Sequence, residues 1–156
     1  MSFAAGSPIQ FFVAGLPAPG GSKRFVGFAK KTGRAVLIDD AGQKNINWKA
    51  NVAWNGKKAM EGRDLETGPL EVVMTFFMPR PKAHFRANGT LKPSAPLYPT
   101  TKPDTLKLTR STEDALTGIV WHDDAQTTDL HLHKRFQKPG QSLGCLITIT
   151  RLNPQN

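Results

Sequence analysis

Residues 102–129, KPDTLKLTRSTEDALTGIVWHDDAQTTD, decide the architecture, because a helical stretch, a glycine stop and an apolar return follow one another in a single run. Asp104 stands where a helix N-cap is expected, with Thr101 as the competing cap. Leu108, Ala115 and Leu116 take the buried positions of a helix over about 104–117, and Gly118 is its natural stop. The same run concentrates acid: six of the chain's twelve carboxylates lie between residues 102 and 136. A helix from Asp104 to Gly118 rises about 21 Å. Six extended residues from Gly118 to Asp124 return about 20 Å. If the chain reverses at Gly118 and runs back beside the helix, Asp123 or Asp124 arrives level with Asp104. Glu113 and Asp114, about 13.5 and 15 Å along the helix, share no coordination shell with Asp104. They are assigned to the helix surface or to a supporting role.

Upstream of this run, Ile9–Leu16 reads as a strand halted by the loop PAPGGSKR. FVGFA and AVLID flank Lys30, Lys31, Thr32, Gly33 and Arg34 and read as a basic hairpin, suited either to a phosphate backbone or to plain solvation. A helix capped by Asp39 or Asp40 runs to about Met60, with Ile46, Lys49, Ala50, Ala53 and Trp54 at helical spacing and Gly56 weakening it. Pro69–Met78 reads as a buried strand. Residues 82–103 lack periodicity and form a long loop, a feature that in compact domains is usually functional or mobile. Strands near 126–136 and 143–152, joined by QKPGQ, close the chain. The expected class is α+β (mixed α/β): one small domain over 1–156 with a mixed sheet and two main helices.

The 156 residues carry a formal net charge of +9, and residues 1–63 alone hold ten Lys and Arg against three acids. A basic body with a local acidic cluster suits a protein that attracts phosphates and holds a divalent cation against them. The single cysteine, Cys145, excludes an intrachain disulfide and reads as a core residue in LGCLITIT. No signal peptide or membrane span is legible, so a cytoplasmic location is the default expectation. His131 and His133 share a strand face, which is a metal-binding spacing but lacks nearby partners. His122 stands next to the aspartate pair, suited to proton transfer or to DNA contact. Clustered carboxylates suit Mg²⁺, a hard cation that keeps several waters. Each acid alone also has a structural role open, as a cap or turn residue.

At KPD…KL…R…DALTGIVWHDDAQ the sequence resembles the RusA family of Holliday-junction resolvases, particularly those of bacteriophages and prophages. Agreement beyond this run covers an N-terminal strand, a Pro/Gly loop and basic residues. The resemblance implies a homodimer that binds four-way or otherwise branched DNA and makes paired, Mg²⁺-dependent nicks, with Mn²⁺ as a substitute ion. It makes Asp104 and Asp124 the principal metal ligands, Asp123 a supporting one, and Arg110 the basic residue of the helix, facing the phosphate. Lys23, Arg24, Lys30, Lys31, Arg34, Lys102 and Lys107 are the expected DNA contacts. The family's first motif is D-x-D, and its second position here is Leu106, which ligates nothing. Water, another acid such as Asp123 or Asp129, or a junction-binding protein that cuts poorly or not at all would each account for that substitution.

Overall fold

The computed structural model describes residues 7–20, 23–39 and 42–155, without the side chains of 23–26 and 36–39. The chain forms strand β1 (Ile9–Ala14), the hairpin β2 (Lys23–Phe28) and β3 (Ala35–Asp39), helix α1 (Gly42–Ala59), strand β4 (Leu70–Met78), helix α2 (Thr105–Leu116), and strands β5 (Thr127–Phe136) and β6 (Gly144–Arg151). Two sheets result, a four-stranded one in the order β1-β6-β4-β5 and the separate β2-β3 ribbon. The α+β class and the two helices stand as expected. Among the described residues no helix is long and apolar enough to cross a membrane.

β4 lies between β5 and β6, and its alternation puts Leu70, Val72, Met74, Phe76 and Met78 on one face. That face meets both helices in a core with Ile147, Ile149, Val13, Trp48, Val52, Leu108 and Leu116. β4 and β5 are parallel, so the chain between them must cross over, and α2 is the helix of that crossover. The opposite face carries half-buried Phe12, Val73, Phe77 and Leu146, with the rings of Phe12 and Phe77 6.3 Å apart.

α1 packs through Asn45, Trp48, Val52 and Gly56. The expected stripe is therefore turned: Ile46 and Trp54 are exposed. Trp48 takes the core because its indole N–H donates to Thr112 Oγ1 at 3.0 Å, a buried acceptor on α2. Asp39 is not the helix cap, since it ends β3, and Asp40 lies outside the described residues. Gly56, costly for helix propensity, has a packing reason. A Cβ there would stand 2.8 Å from Leu116 Cδ2, so glycine lets the helices approach. Gly56→Leu is expected to lower stability by about 1–3 kcal/mol through overpacking, read from urea unfolding.

Residues 82–103 are irregular but anchored. A 3-10 turn spans Lys82–His84, Phe85 bridges Leu91, and the Arg80 guanidinium donates to Pro96 O at 2.7 Å while lying 4.1 Å from the Phe136 ring centroid. Cys145 is buried, as expected, and burial raises its thiol pKa, leaving it inert at neutral pH.

Candidate active site

α2 begins at Asp104, whose carboxylate accepts the Lys107 N–H at 2.8 Å. The bend before it is tied to the edge strand: Lys134 Nζ of β5 donates to Thr101 O and Pro103 O, each at 2.9 Å. Along α2, Leu108, Thr109, Ser111, Thr112 and Leu116 turn inward. The hydroxyls of Thr109 and Thr112 donate to carbonyls one turn back, which lets polar residues occupy a buried face. Outward stand Leu106, Lys107 and Arg110, all exposed. Leu106 is 72% exposed, an apolar side chain presented to solvent beside Asp104.

The Pro/Gly loop after β1 is pinned onto this helix. Ser111 Oγ donates to Ala18 O at 2.6 Å, Asn45 Nδ2 to Pro19 O at 2.9 Å, and the Gly20 N–H to Lys107 O at 2.9 Å. A Cβ on Gly20 would lie 3.6 Å from both Cγ and Cδ of Arg110. Lys23 and Arg24 follow Gly20 by three and four residues in sequence, and their side chains lie outside the described residues. At the ribbon tip, Ala29 N–H donates to Arg34 O and Gly33 N–H to Ala29 O, both at 2.8 Å, and Lys30, Lys31 and Arg34 are exposed. Lys102 is exposed as well.

The return from α2 differs from six extended residues. Gly118 N–H donates to Trp121 O at 2.7 Å, and Trp121 bridges back to Thr117, so residues 118–121 are spent in a compact turn. Only the few residues after Trp121 remain to run back along the helix before Asp124. Asp124 consequently lies within electrostatic reach of Glu113, the residue set aside from spacing. Glu113 is held above the ordinary carboxylate range by burial first, then by Asp124 and Asp114. The Thr127 hydroxyl, buried and without a well-formed hydrogen bond, leans against that rise. Asp114 itself pairs with Lys49 of α1 at 3.6 Å.

The DDAQ turn has a clear division of labour. Asp123 caps it, its carboxylate accepting the Ala125 N–H at 2.9 Å. Gln126 Oε1 accepts the N–H groups of His122 and Asp123 at 2.9 and 3.0 Å, while Nε2 donates to Glu66 O and Gly68 O at 3.0 and 3.1 Å. Glu66 is itself fixed by Arg151, whose Nη2 lies 2.6 Å from Oε2. Asp124 remains exposed, with no hydrogen bond or ion pair to its carboxylate among the described residues. Gln126 and Lys134 carry no chemical signature in sequence, and only their fourfold and twofold bonding makes their roles visible.

Among the described residues no three His, Cys, Asp or Glu side chains converge as metal ligands, so Asp104, Asp123 and Asp124 do not close into one ligand set. Asp104 is engaged as a helix cap and Asp123 as a turn cap. Their oxygen donors suit a hard cation, but their placement in this structure does not fit a three-carboxylate site. Asp129 cannot join Asp104, because it pairs with Glu71 on the sheet face away from the helices. On that face His131 Nε2 lies 3.5 Å from Glu71 Oε2 and His133 Nδ1 lies 3.5 Å from Arg135, with no third ligand.

Because Glu113 holds its proton more tightly in the folded chain than in the unfolded one, stability falls as pH rises from the ordinary carboxylate pKa through the raised one. Glu113→Gln is therefore expected to raise Tm at pH 7 in EDTA. The gain should vanish below pH of about 4.3, where the wild-type carboxyl is protonated in both states. Thermal melts at the two pH values check this.

A pinned Pro/Gly loop, a capped helix with a basic outer face and a clamped aspartate turn form one continuous unit, and residues 18–145 match the endodeoxyribonuclease RusA family, to which the chain belongs. It is also similar to the uncharacterized protein YqaN of Bacillus subtilis (strain 168), 30% identical over 74 residues that cover 46% of this chain and 52% of that protein. The match thus spans about half the length of that relative.

Proposed function

We propose that this chain is a structure-selective endodeoxyribonuclease that acts on four-way or related branched DNA by paired nicks. The observation that carries the reading is Asp124: its turn is locked on both sides by Gln126, yet its carboxylate is left free at the surface. A carboxylate on so fixed a turn, with no hydrogen bond or ion pair of its own among the described residues, is placed for a partner outside the chain. Family membership makes that partner DNA. RusA nucleases generally use a divalent metal, here expected to be Mg²⁺ with Mn²⁺ as its substitute; Asp104 and Asp124 are proposed as the principal acids and Asp123 as a supporting one, serving from the helix cap and the turn and not as one closed three-carboxylate shell.

The basic groups supply binding. Arg110 faces outward from α2 next to the Pro/Gly loop, Lys107 and Lys102 are exposed near Asp104, and Lys30, Lys31 and Arg34 form a ribbon tip that reaches along a strand. Lys23 and Arg24 are proposed to extend that track. Phosphate contacts of this kind position DNA without reading its sequence, consistent with selection by shape. A homodimer is proposed to hold two such sites, one for each nick. The half-buried Phe12, Val73, Phe77 and Leu146 on the helix-free sheet face support self-association. The cytoplasm is the proposed location.

The exposed Leu106 favours a second reading, a protein on the same scaffold that binds branched DNA without cutting it. A labelled synthetic four-way junction incubated with Mg²⁺ or Mn²⁺ separates the two. Symmetric metal-dependent cuts support the nuclease. Folded protein that binds the junction and leaves it whole overturns it.

A further inference from the structure

Three tryptophans are present, and two of them have clear employment in the core: Trp48 is 1% exposed and Trp121 fully buried. Trp54 is 62% exposed on the outer side of α1. A single exposed aromatic ring needs no explanation by itself. Its surroundings do, because the indole forms one wall of a depression of about 610 Å³ whose other apolar surfaces are Met60 and Ile119. That size lies in the range of pockets that take small ligands. The rim carries Lys57 and Lys58 against Glu61. Among the described residues neither lysine makes an ion pair, although their place in the last turn of α1 also complements the helix dipole.

A flat aromatic surface with unpaired ammonium groups beside it has the chemistry of a nucleobase platform: every base offers a π-face to stack, and its phosphate meets the cations. A peptide partner would more readily be attracted by acidic side chains of its own than by the indole face, and an aliphatic one would leave Lys57 and Lys58 unmatched. The location agrees. Ile119 belongs to the compact turn that leads from α2 to Asp123 and Asp124, so the depression and the free carboxylate stand on one continuous stretch of chain.

We propose that Trp54, with Lys57 and Lys58, binds one unpaired deoxynucleotide by stacking, capturing a base that leaves its stack where strands branch. The inference rests on the reading of branched DNA as substrate and adds to it a site for single-stranded character apart from the acidic turn.

The test is intrinsic fluorescence of the full chain in EDTA, titrated with a twelve-residue thymidine oligonucleotide and, separately, with a blunt duplex of the same length. The oligonucleotide is expected to quench the emission of the exposed indole, and the duplex to quench it far less. Trp54→Ala should remove the quenching and weaken oligonucleotide binding roughly ten- to a hundredfold, measured by anisotropy. Trp54→Phe should retain most of the affinity, and duplex binding should change less than twofold in both variants. Oligonucleotide affinity unchanged in Trp54→Ala would overturn the proposal. So would an equal loss for duplex, or a protein-concentration-dependent shift of the emission without DNA, which would mean a second copy covers the indole. Junction cutting plays no part in these readings, so a protein that fails to cut can still pass, and one that cuts can still fail.

Discussion

Asp124→Asn is expected to abolish cutting of a four-way junction while junction binding holds or tightens slightly. The carboxylate has no structural bond to lose, so the fold, read by circular dichroism, should not change. Removing a negative charge beside DNA lessens repulsion of the phosphates, and the salt dependence of binding should show it. A preorganised charged group at a reacting centre is worth on the order of a hundredfold or more in rate. Asp123→Asn is the informative neighbour. Asparagine caps as well as aspartate, and its Oδ1 can keep the bond to the Ala125 N–H. It should therefore retain the turn and lose much less activity than Asp124→Asn. Equal and severe losses from both would mean that Asp123 acts directly on the substrate or its metal. Retained cutting in Asp124→Asn would show a nuclease that works without this carboxylate and would overturn the role given to Asp124.

The second large effect concerns the floor beneath the site. Trp48→Ala is expected to cost about 3–5 kcal/mol in urea unfolding, the range for deleting a large buried aromatic side chain. The indole is 1% exposed and joins α1 to α2, so the cavity would open directly beneath the helix that carries Arg110. Trp48→Phe should cost markedly less. Thr112 Oγ1 already donates to Leu108 O at 2.8 Å, so loss of the indole N–H leaves that hydroxyl partnered. With total stabilities of about 5–15 kcal/mol for domains, the alanine variant should be marginal at 37 °C, and the phenylalanine variant folded.

How far these residues announce themselves depends on whether their role is local. Asp104 was legible as a cap, and Gly118 as a stop, because helix ends leave backbone groups that nearby side chains must satisfy. The basic ribbon was legible from two short apolar runs around a turn. The face of α1 was not: Ile46, Trp48, Val52, Ala53 and Trp54 offer more than one apolar stripe, and only the position of Thr112 and the glycine gap at Gly56 select between them. The same limit governed the acids. Spacing fixed the rise of α2, but the path after Gly118 depended on the bonds between Gly118, Trp121 and Thr117, which carry no local signal. Glu113 therefore moved from the margin of the site to the neighbourhood of Asp124, and Asp129 left it for the far face of the sheet.

Gln126 limits how far the acidic turn can shift. Its amide has two hydrogens and two lone pairs, and all four are committed, two to residues 122–123 and two to residues 66–68. The separation between those segments is thus gauged by the width of one amide group. Close-packed apolar residues can shift by fractions of an ångström to absorb a change. A fully subscribed amide cannot, and the height of Asp124 above the start of β4 is set by covalent dimensions.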